Sequence, residues 1–356
     1  MDLGLTEEQE AVVALAEQIF TGECSLERSR AVEDGESGVD AALWATLADA
    51  GLLALCLPES AGGAGYGAVE ATLLLEQLGR ATALVPLHPT LVGSILIAEH
   101  ASDERAAALL AGVAEGDRTF ALALADEPRA PLRRPAVTHD DDGLHGTKTA
   151  VGFAPGADLL LVTAADGVYA VAPDAAGVAV EPQRLQHHVR AGRVTFDGAT
   201  AERVAGPEGV ARLVDLATLG ICALVTGTCD AALRRTAEYS GQRQQFGRPI
   251  GSFQAVETRL ADAYIALNGV RLTTLSAATM LDEHAPEATE SVTIAKYWAA
   301  KAADEVGHAS LHVHGGISID RDYPVHRNFL WAKSLEHELG GRSDQLTTLG
   351  AAIADG

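Results

Sequence analysis

The chain has 356 residues, of which 47% are hydrophobic, 21% charged and 4% aromatic, and its formal net charge is -23. This composition is typical of a folded globular protein and excludes a fibrous or intrinsically disordered one. Because affinity for nucleic acid depends on Lys and Arg side chains that neutralise phosphates, the acidic charge argues against a nucleic-acid partner.

The cysteines and the N-terminal segment indicate the compartment. Cys24, Cys56, Cys222 and Cys229 form no CxxC pair and show no metal-ligand spacing with histidines, so we expect reduced, buried thiols and no metal site. The N-terminal segment lacks the basic start and long apolar core of a signal peptide. No uncharged run approaches the ~20 apolar residues that span a bilayer. These features predict a cytoplasmic protein without membrane insertion.

The first region of the chain has a helical pattern. Thr6 stands three residues before Gln9, as in a capping box at the start of a helix. Apolar residues then recur at helical spacing, and the glycines and prolines between Pro58 and Tyr66 predict a loop between helices. We predict an N-terminal helical domain over residues 1–118.

The middle region, residues 119–205, has a different period. Short β-prone runs at Leu159–Thr163, Gly167–Val171 and Arg193–Phe196 alternate with turns such as Asp140–Gly143. They predict a small β-sheet or barrel domain. Strands confined to the middle of the chain argue against a doubly wound α/β sheet, and no glycine-rich nucleotide motif follows a strand.

Long helical patterns return over residues 206–356. They run from about Glu208 to Tyr239, from Phe253 to Leu281 and from Glu287 to His314, where two glycines predict a helix end. Their wide apolar faces are typical of a bundle that also buries surface against other subunits. We predict a C-terminal domain like a four-helix bundle, and an α+β fold class for the whole chain.

Three stretches resemble a known family. The run from Tyr239 to Gln254, YSGQRQQFGRPIGSFQ, is similar to the signature YxxxRxQFGxPIxxFQ of acyl-CoA dehydrogenases. The run from Gly51 to Gly65 resembles the family's GLxxLxxPExxGGxG, and 314–324 resembles its GG and EYP segments. The resemblance spans nearly the whole chain, with the middle domain matched least. It implies the acyl-CoA dehydrogenase fold and an FAD-dependent oxidation of an acyl-CoA thioester to a trans-2-enoyl-CoA, with a separate electron-transfer acceptor.

The resemblance also implies residue roles at the flavin. In the family, residues of these motifs reach across an interface to the flavin that the neighbouring subunit holds. The implied FAD-contacting residues here are Arg243, Phe246, Gln254, His312, Gly315 and Gly316. His312 replaces the usual glutamine and can still donate a hydrogen bond. Taken alone, the QFG segment is also typical of a simple turn between helices with Phe246 in the core.

The position of the catalytic base departs from the family pattern. Counting from Gly316 places Leu339 where the family usually has the glutamate that removes the α-proton, and the alternative position in some members falls on Thr218. Neither side chain accepts a proton near pH 7. Glu338 is one residue away and becomes the base only if the alignment shifts, because a helical neighbour points about 100° away.

The flavin-cradling segment of the middle domain departs as well. Where the family has a TExxAGSD-like strand and loop, this chain has ADEPRA at residues 125–130, without the hydroxyls or the glycine. The later strand around Lys148 lacks the tryptophan that commonly follows. Residues that serve a neighbour's flavin are therefore present, whereas those that hold the chain's own flavin and abstract the proton are missing.

Three hypotheses follow. In the first, the chain is the subunit lacking the base in a heteromeric acyl-CoA dehydrogenase of the steroid side-chain type, with a homologous partner in an α2β2 heterotetramer. In the second, it is a self-sufficient homo-oligomer that uses Glu338. In the third, it is a non-enzymatic scaffold with the same fold. An acyl-CoA ligand needs a basic patch in this acidic protein, and Arg133–Arg134 and Arg234–Arg235 are the candidates.

Overall fold

The structure is a computed structural model, and it describes residues 4–355. The chain forms two compact units. Among the described residues, the first comprises 4–26, Thr72–Ala83 and 218–355, and the second comprises Glu27–Ala71 and Leu84–Ala217. The order of elements is a helical N-terminal part, a middle part with small β-sheets and a helical C-terminal part, which confirms the predicted α+β fold class.

Within residues 4–355, six α-helices precede the first strand, and the first of them starts at the predicted capping box. The side chain of Thr6 accepts a hydrogen bond from the Gln9 amide at 3.2 Å, and the Gln9 side chain accepts one from the Thr6 amide at 3.0 Å, so the capping box is confirmed. These helices are α1 Glu7–Glu23, α2 Leu26–Asp34, α3 Ala41–Asp49, α4 Ala68–Ala81, α5 Leu87–His100 and α6 Asp103–Leu110.

The middle part contains two four-stranded sheets, with strand orders β1-β4-β5-β8 and β2-β3-β7-β6. Strands β1 and β4 run parallel, and the other pairs are antiparallel. Side chains from both sheets share one core that includes Leu144, Val162, Tyr169 and Phe196. The strands are β1 Phe120–Ala123, β2 Thr138–Asp140, β3 Gly143–Gly152, β4 Leu159–Ala164, β5 Gly167–Val171, β6 Val178–Arg184, β7 Arg190–Ala199 and β8 Glu202–Ala205.

The C-terminal helices are long, as predicted. They are α7 Pro207–Gln242, α8 Gln254–Asp282, α9 Ala288–His314, α10 Pro324–His337 and α11 Arg342–Asp355. Between α7 and α8 lies a hairpin of two short strands, β9 Gln244–Gln245 and β10 Arg248–Pro249. Within residues 4–355, α7 alone is long and apolar enough to cross a membrane, and 89% of its most apolar stretch is buried in the protein.

Glycines let α4 and α7 approach closely. A Cβ atom on Gly227 would lie 1.9 Å from the Glu76 carbonyl oxygen, and one on Gly79 would lie 2.2 Å from that of Leu224. The hydroxyl of Thr228 donates to the Gly79 carbonyl at 3.0 Å. The close approach of α4 and α7 therefore depends on the absence of side chains at Gly79 and Gly227.

Candidate active site

The Tyr239–Gln254 run forms an exposed hairpin at the end of α7. Arg248 pairs with Gln245, so Phe246 and Gly247 form a two-residue turn in which both φ angles are positive, 51° and 77°. Such turns favour residues that tolerate left-handed backbone. The Phe246 side chain is 92% exposed. The interpretation of Phe246 as a core residue is therefore wrong, because the turn leaves its ring exposed.

Arg243 anchors the base of this hairpin through its backbone. Its amide donates to the Tyr239 carbonyl at 2.8 Å, and its carbonyl accepts from the Ile250 amide at 2.8 Å. Among the described residues, no hydrogen bond or ion pair engages its exposed guanidinium. A free guanidinium on a fixed backbone suits the planar recognition of a phosphate.

The second motif lies at the end of α9. His312 is exposed in the last turn, and Gly315 follows with φ 65° and ψ -143°. Only glycine adopts this region without strain. The Gly315 amide caps the helix on the Leu311 carbonyl, and Gly316 is exposed beside it. This segment leaves backbone open to an external group.

The two motifs meet at one cavity of about 350 Å³. Phe246 from the hairpin and His312 from α9 both line it, together with apolar side chains such as Phe253. A neighbouring cavity of about 890 Å³ contains Gln254. Arg259 lines both cavities, whereas Arg243 lines neither. The sequence interpretation missed Arg259, because the family pattern leaves this position unspecified. The one available signal was that Arg259 follows Gln254 by five residues, close to the signature.

An aromatic stack connects the two motifs. The ring of His314, at the end of α9, stacks on Tyr239 with a centroid distance of 4.4 Å and lies 5.3 Å from the ring of Tyr323. Its Nδ1–H donates to the Ser310 carbonyl at 2.9 Å, and its Nε2 is buried without a hydrogen-bond partner among residues 4–355. Burial lowers the pKa of His314. This neutral ring holds the hairpin base and the glycine segment together.

The loop at the usual base position is held from both sides. Lys296, 0% exposed on α9, donates from Nζ to the carbonyls of Leu335 and Glu336 at the end of α10, each at 3.0 Å. Beyond them, the Gln345 amide donates to the Leu339 carbonyl at 3.3 Å. Leu339 itself has a positive φ of 56°. The loop is therefore well fixed, and the side chain at the predicted base position, Leu339, is apolar.

Glu338 precedes Leu339 in this loop and is partly buried. Burial raises the pKa of Glu338 to about 7, against the opposing attraction of Lys296. Burial also lowers the pKa of Lys296. A carboxyl group with a pKa near 7 has the acidity that a general base needs. Thr218, at the alternative position, lies buried in α7.

In the 125–130 segment of the second unit, the Asp126 carboxylate is engaged in contacts within the chain. The Oδ1 atom of Asp126 forms an ion pair with Lys148 Nζ at 2.8 Å, and its Oδ2 atom accepts from the Ala136 amide at 3.0 Å. Lys148 is 0% exposed and also donates to the Leu124 carbonyl and the Thr163 hydroxyl. Burial lowers the pKa of Lys148, and Asp126 opposes that shift.

Two of the four arginines expected to bind an acyl-CoA ligand form internal ion pairs. Arg133 pairs with Asp215. Arg234 pairs with Asp230 at 2.7 Å, and Asp230 also forms ion pairs with Arg80 and Arg271 at 3.0 Å each. These contacts assign Arg133 and Arg234 structural roles within their units.

Comparisons with known proteins decide the family. Residues 6–117 match the acyl-CoA dehydrogenase N-terminal domain, and residues 210–354 match the C-terminal domain of the same family. The chain is 37% identical to the acyl-CoA dehydrogenase FadE27 of Mycobacterium tuberculosis, over 100% of the chain and 99% of the relative. The chain belongs to the acyl-CoA dehydrogenase family.

Two solved structures of acyl-CoA dehydrogenases share the fold along their full length. One chain of the ChsE4-ChsE5 complex from Mycobacterium tuberculosis is 37% identical with a TM-score of 0.94, and the match covers 100% of both chains. A chain of the Tcur3481-Tcur3483 steroid acyl-CoA dehydrogenase is 41% identical with a TM-score of 0.94, and 99% of each chain is covered. Members of this family are oxidoreductases that act on CH–CH bonds with FAD as cofactor.

The two candidate flavin regions differ in how well they fit FAD. The exposed set around the hairpin offers a guanidinium, an aromatic ring, amide and imidazole donors and glycine backbone, which suit a dinucleotide with a pyrophosphate and planar rings. In the 125–130 segment, the Glu127 amide donates to the Thr147 carbonyl, and Pro128 has no amide hydrogen to donate. With Asp126 also engaged, this segment does not fit the flavin-cradling role.

Proposed function

We propose that this chain is the subunit of a heteromeric acyl-CoA dehydrogenase that completes the flavin site of a homologous partner subunit, and that the partner carries the catalytic base. The observation that carries the proposal is an asymmetry. The candidate flavin-contacting residues of the hairpin and the α9 end are exposed, and Phe246 and His312 among them line one cavity. In the 125–130 segment, Asp126 is instead engaged in a buried ion pair with Lys148.

In the proposed complex, bound FAD would supply the oxidising chemistry, as the hydride acceptor for the β-carbon of the acyl-CoA thioester, with a separate electron-transfer acceptor to reoxidise it. This chain's residues bind and orient the cofactor. Arg243 faces the phosphates, Phe246 covers a planar surface, and Gln254 and His312 donate hydrogen bonds. Gly315 and Gly316 leave room for backbone contact. These residues bind the cofactor and take no proton from the substrate. This chain supplies no base at the expected position, because Leu339 has no group that accepts a proton.

The distribution of exposed apolar side chains supports assembly with a second subunit. The largely exposed large hydrophobic residues in the described part of the chain all lie in the first unit, and on α8 they recur along the helix. Exposed apolar patches of this kind mark interaction surfaces. They include Phe246, Tyr264, Ile265, Leu272, Ile317 and Ile319.

Two solved relatives support the proposed nature of the partner. ChsE4-ChsE5 is a complex of two named components, and the Tcur3481-Tcur3483 protein is a steroid acyl-CoA dehydrogenase named for two components. We therefore infer an α2β2 heterotetramer with a homologous acyl-CoA dehydrogenase subunit, acting in the cytoplasm on acyl-CoA esters of the steroid side-chain type.

The decisive experiment compares the chain purified alone with the chain purified together with a co-encoded homologue. We expect the visible flavin spectrum and dehydrogenase activity only in the complex. Tight stoichiometric flavin and activity in the isolated chain would refute the proposal.

Glu338 favours a second candidate, a self-sufficient homo-oligomeric dehydrogenase. Its pKa of about 7 and its place beside Leu339 make it the best carboxylate in this loop for proton abstraction. In that case Glu338→Gln abolishes turnover by the isolated chain and leaves bound flavin unchanged. Under the heteromeric proposal the same substitution in the complex leaves turnover within about twofold of wild type.

A further inference from the structure

The cavity between the hairpin and α9 contains a single permanent cation. Among the residues that line it, Arg259 is the one Arg or Lys; the others are Gln245, Phe246, Ile250, Phe253, Ala255, Val256, His312 and Val313. The rings of Phe246 and Phe253 lie edge to face at 6.2 Å. An apolar pocket with two rings and one guanidinium suits a ligand that joins a planar group to an anion.

Arg259 is also available, unlike the basic groups around it. It is exposed, and within residues 4–355 it makes no hydrogen bond or ion pair. Arg248 stacks over the Phe253 ring at 4.1 Å, and Lys301 stacks over the Trp298 ring at 4.7 Å. His308 lies 3.4 Å from a carboxylate oxygen of Asp304.

The charges around Arg259 increase its importance for an anionic ligand. The adjoining 890 Å³ cavity contains the carboxylates of Asp262, Asp304 and Glu305, and the whole chain carries a net charge of -23. A phosphate that approaches this corner is repelled unless a cation faces it directly. Arg259 lines both cavities and stands where the apolar pocket meets the acidic one.

We propose that Arg259 directly contacts the pyrophosphate of the flavin dinucleotide held by the partner subunit. This inference rests on the proposed function. It adds a binding residue to the family signature, at a position that the signature leaves open. Arg243, the signature arginine, approaches the same ligand from the base of the hairpin and lines neither cavity.

The test measures FAD binding to the complex of this chain with its homologous partner, after removal of the flavin, by titration with FAD and flavin fluorescence. Loss of a charged hydrogen bond predicts that Arg259→Ala raises the Kd for FAD roughly 10- to 100-fold. Arg259→Lys retains the charge without the planar fork and gives an intermediate Kd. The salt dependence of Kd also becomes weaker in Arg259→Ala, since one charge contact is lost.

Lys301→Ala is the matched control, because Lys301 is a half-buried cation that lines the larger cavity and not the smaller one. We expect its Kd for FAD to stay within about twofold of wild type, with the mass of every complex unchanged in light scattering. A wild-type Kd in Arg259→Ala, with a raised Kd in Arg243→Ala, overturns the role of Arg259 and leaves the proposed function intact. A wild-type Kd in both variants overturns both.

Discussion

The hairpin region of the first unit and the 125–130 segment of the second unit differ in whether their polar side chains have partners within the chain. In the hairpin, the backbone of Arg243 is hydrogen-bonded, while its guanidinium has no hydrogen bond or ion pair within residues 4–355. In the 125–130 segment, the carboxylate of Asp126 is paired with a buried lysine and an amide. An exposed polar group without a partner can bind a ligand or another subunit. Buried polar groups that are paired with each other stabilise the fold and are not available for binding. Under the proposed function, this difference separates the residues that contact the partner's cofactor from those that stabilise the chain itself.

The largest effect is expected at the buried pair. Lys148→Met leaves the Asp126 carboxylate buried without its counter-ion, which costs about 3–5 kcal/mol of unfolding free energy. Lys148→Met combined with Asp126→Asn removes both charges and keeps an acceptor for the Ala136 amide, so most of the loss is recovered. Denaturant unfolding followed by circular dichroism measures both variants. If the Lys148→Met complex stays folded but loses FAD, the claim that this pair only stabilises the fold is wrong.

Arg243→Ala should have the opposite effects: little change in the unfolding free energy and a clear loss of FAD affinity. The unfolding free energy stays within about 0.5 kcal/mol of wild type, because an exposed side chain without partners is removed. The affinity of the complex for FAD falls by about 1.5–3 kcal/mol, the value of a hydrogen bond to a charged group. Arg248→Ala, in the same hairpin, is the control and should affect FAD affinity less. Equal effects of the two variants would show that the hairpin acts only through its general positive charge.

Phe246→Gly separates stability from recognition at a single residue. Glycine adopts the φ of 51° without strain, so the isolated chain should become more stable by up to about 1 kcal/mol. The exposed ring is lost, and the complex should bind FAD or the partner more weakly. Phe246→Ala loses the ring and retains the positive φ. Thermal unfolding of the chain and FAD titration of the complex give the two readouts, and a parallel change in both would show that Phe246 is a structural residue.

The smallest effect concerns pH and the stack of His314 with Tyr239 and Tyr323. Burial lowers the pKa of His314 below its ordinary 6.5, so the unfolded chain binds a proton before the folded chain does. The stability from the neutral ring is complete above about pH 6.5 and declines as the pH falls. In the same stack, burial raises the pKa of Tyr323; Tyr239 and Glu238 raise it further, and Arg235 opposes the shift.

His314→Phe keeps an aromatic ring and removes the titration. Its loss of unfolding free energy between pH 7 and pH 5.5 should therefore be smaller than that of wild type, in denaturant unfolding at both pH values. An identical loss in the two proteins would assign the acid sensitivity to other buried histidines, such as His88, whose pKa burial lowers to about 4.

Local sequence determined much of this protein. The capping box at Thr6, the helical periods of the C-terminal region and the FG turn at 246–247 depend on residues within a few positions of each other, so their structures follow from local rules. The YSGQRQQFGRPIGSFQ run identified the family for the same reason, since its fixed positions lie within one hairpin and its flanking helices. The α+β organisation followed from the change of period along the chain.

Only the tertiary structure decided which of these residues share a site. Phe246 and His312 are 66 positions apart in the numbering and line one cavity, and Arg259 joins them from a helix that the motif does not specify. The Lys148–Asp126 pair, the burial that raises the pKa of Glu338 and the stack around His314 likewise depend on packing between distant segments. Local sequence patterns predict helices, turns and motifs. The cavity at Phe246 and His312, the buried Lys148–Asp126 pair and the place of Arg259 depend instead on which distant segments the fold brings together.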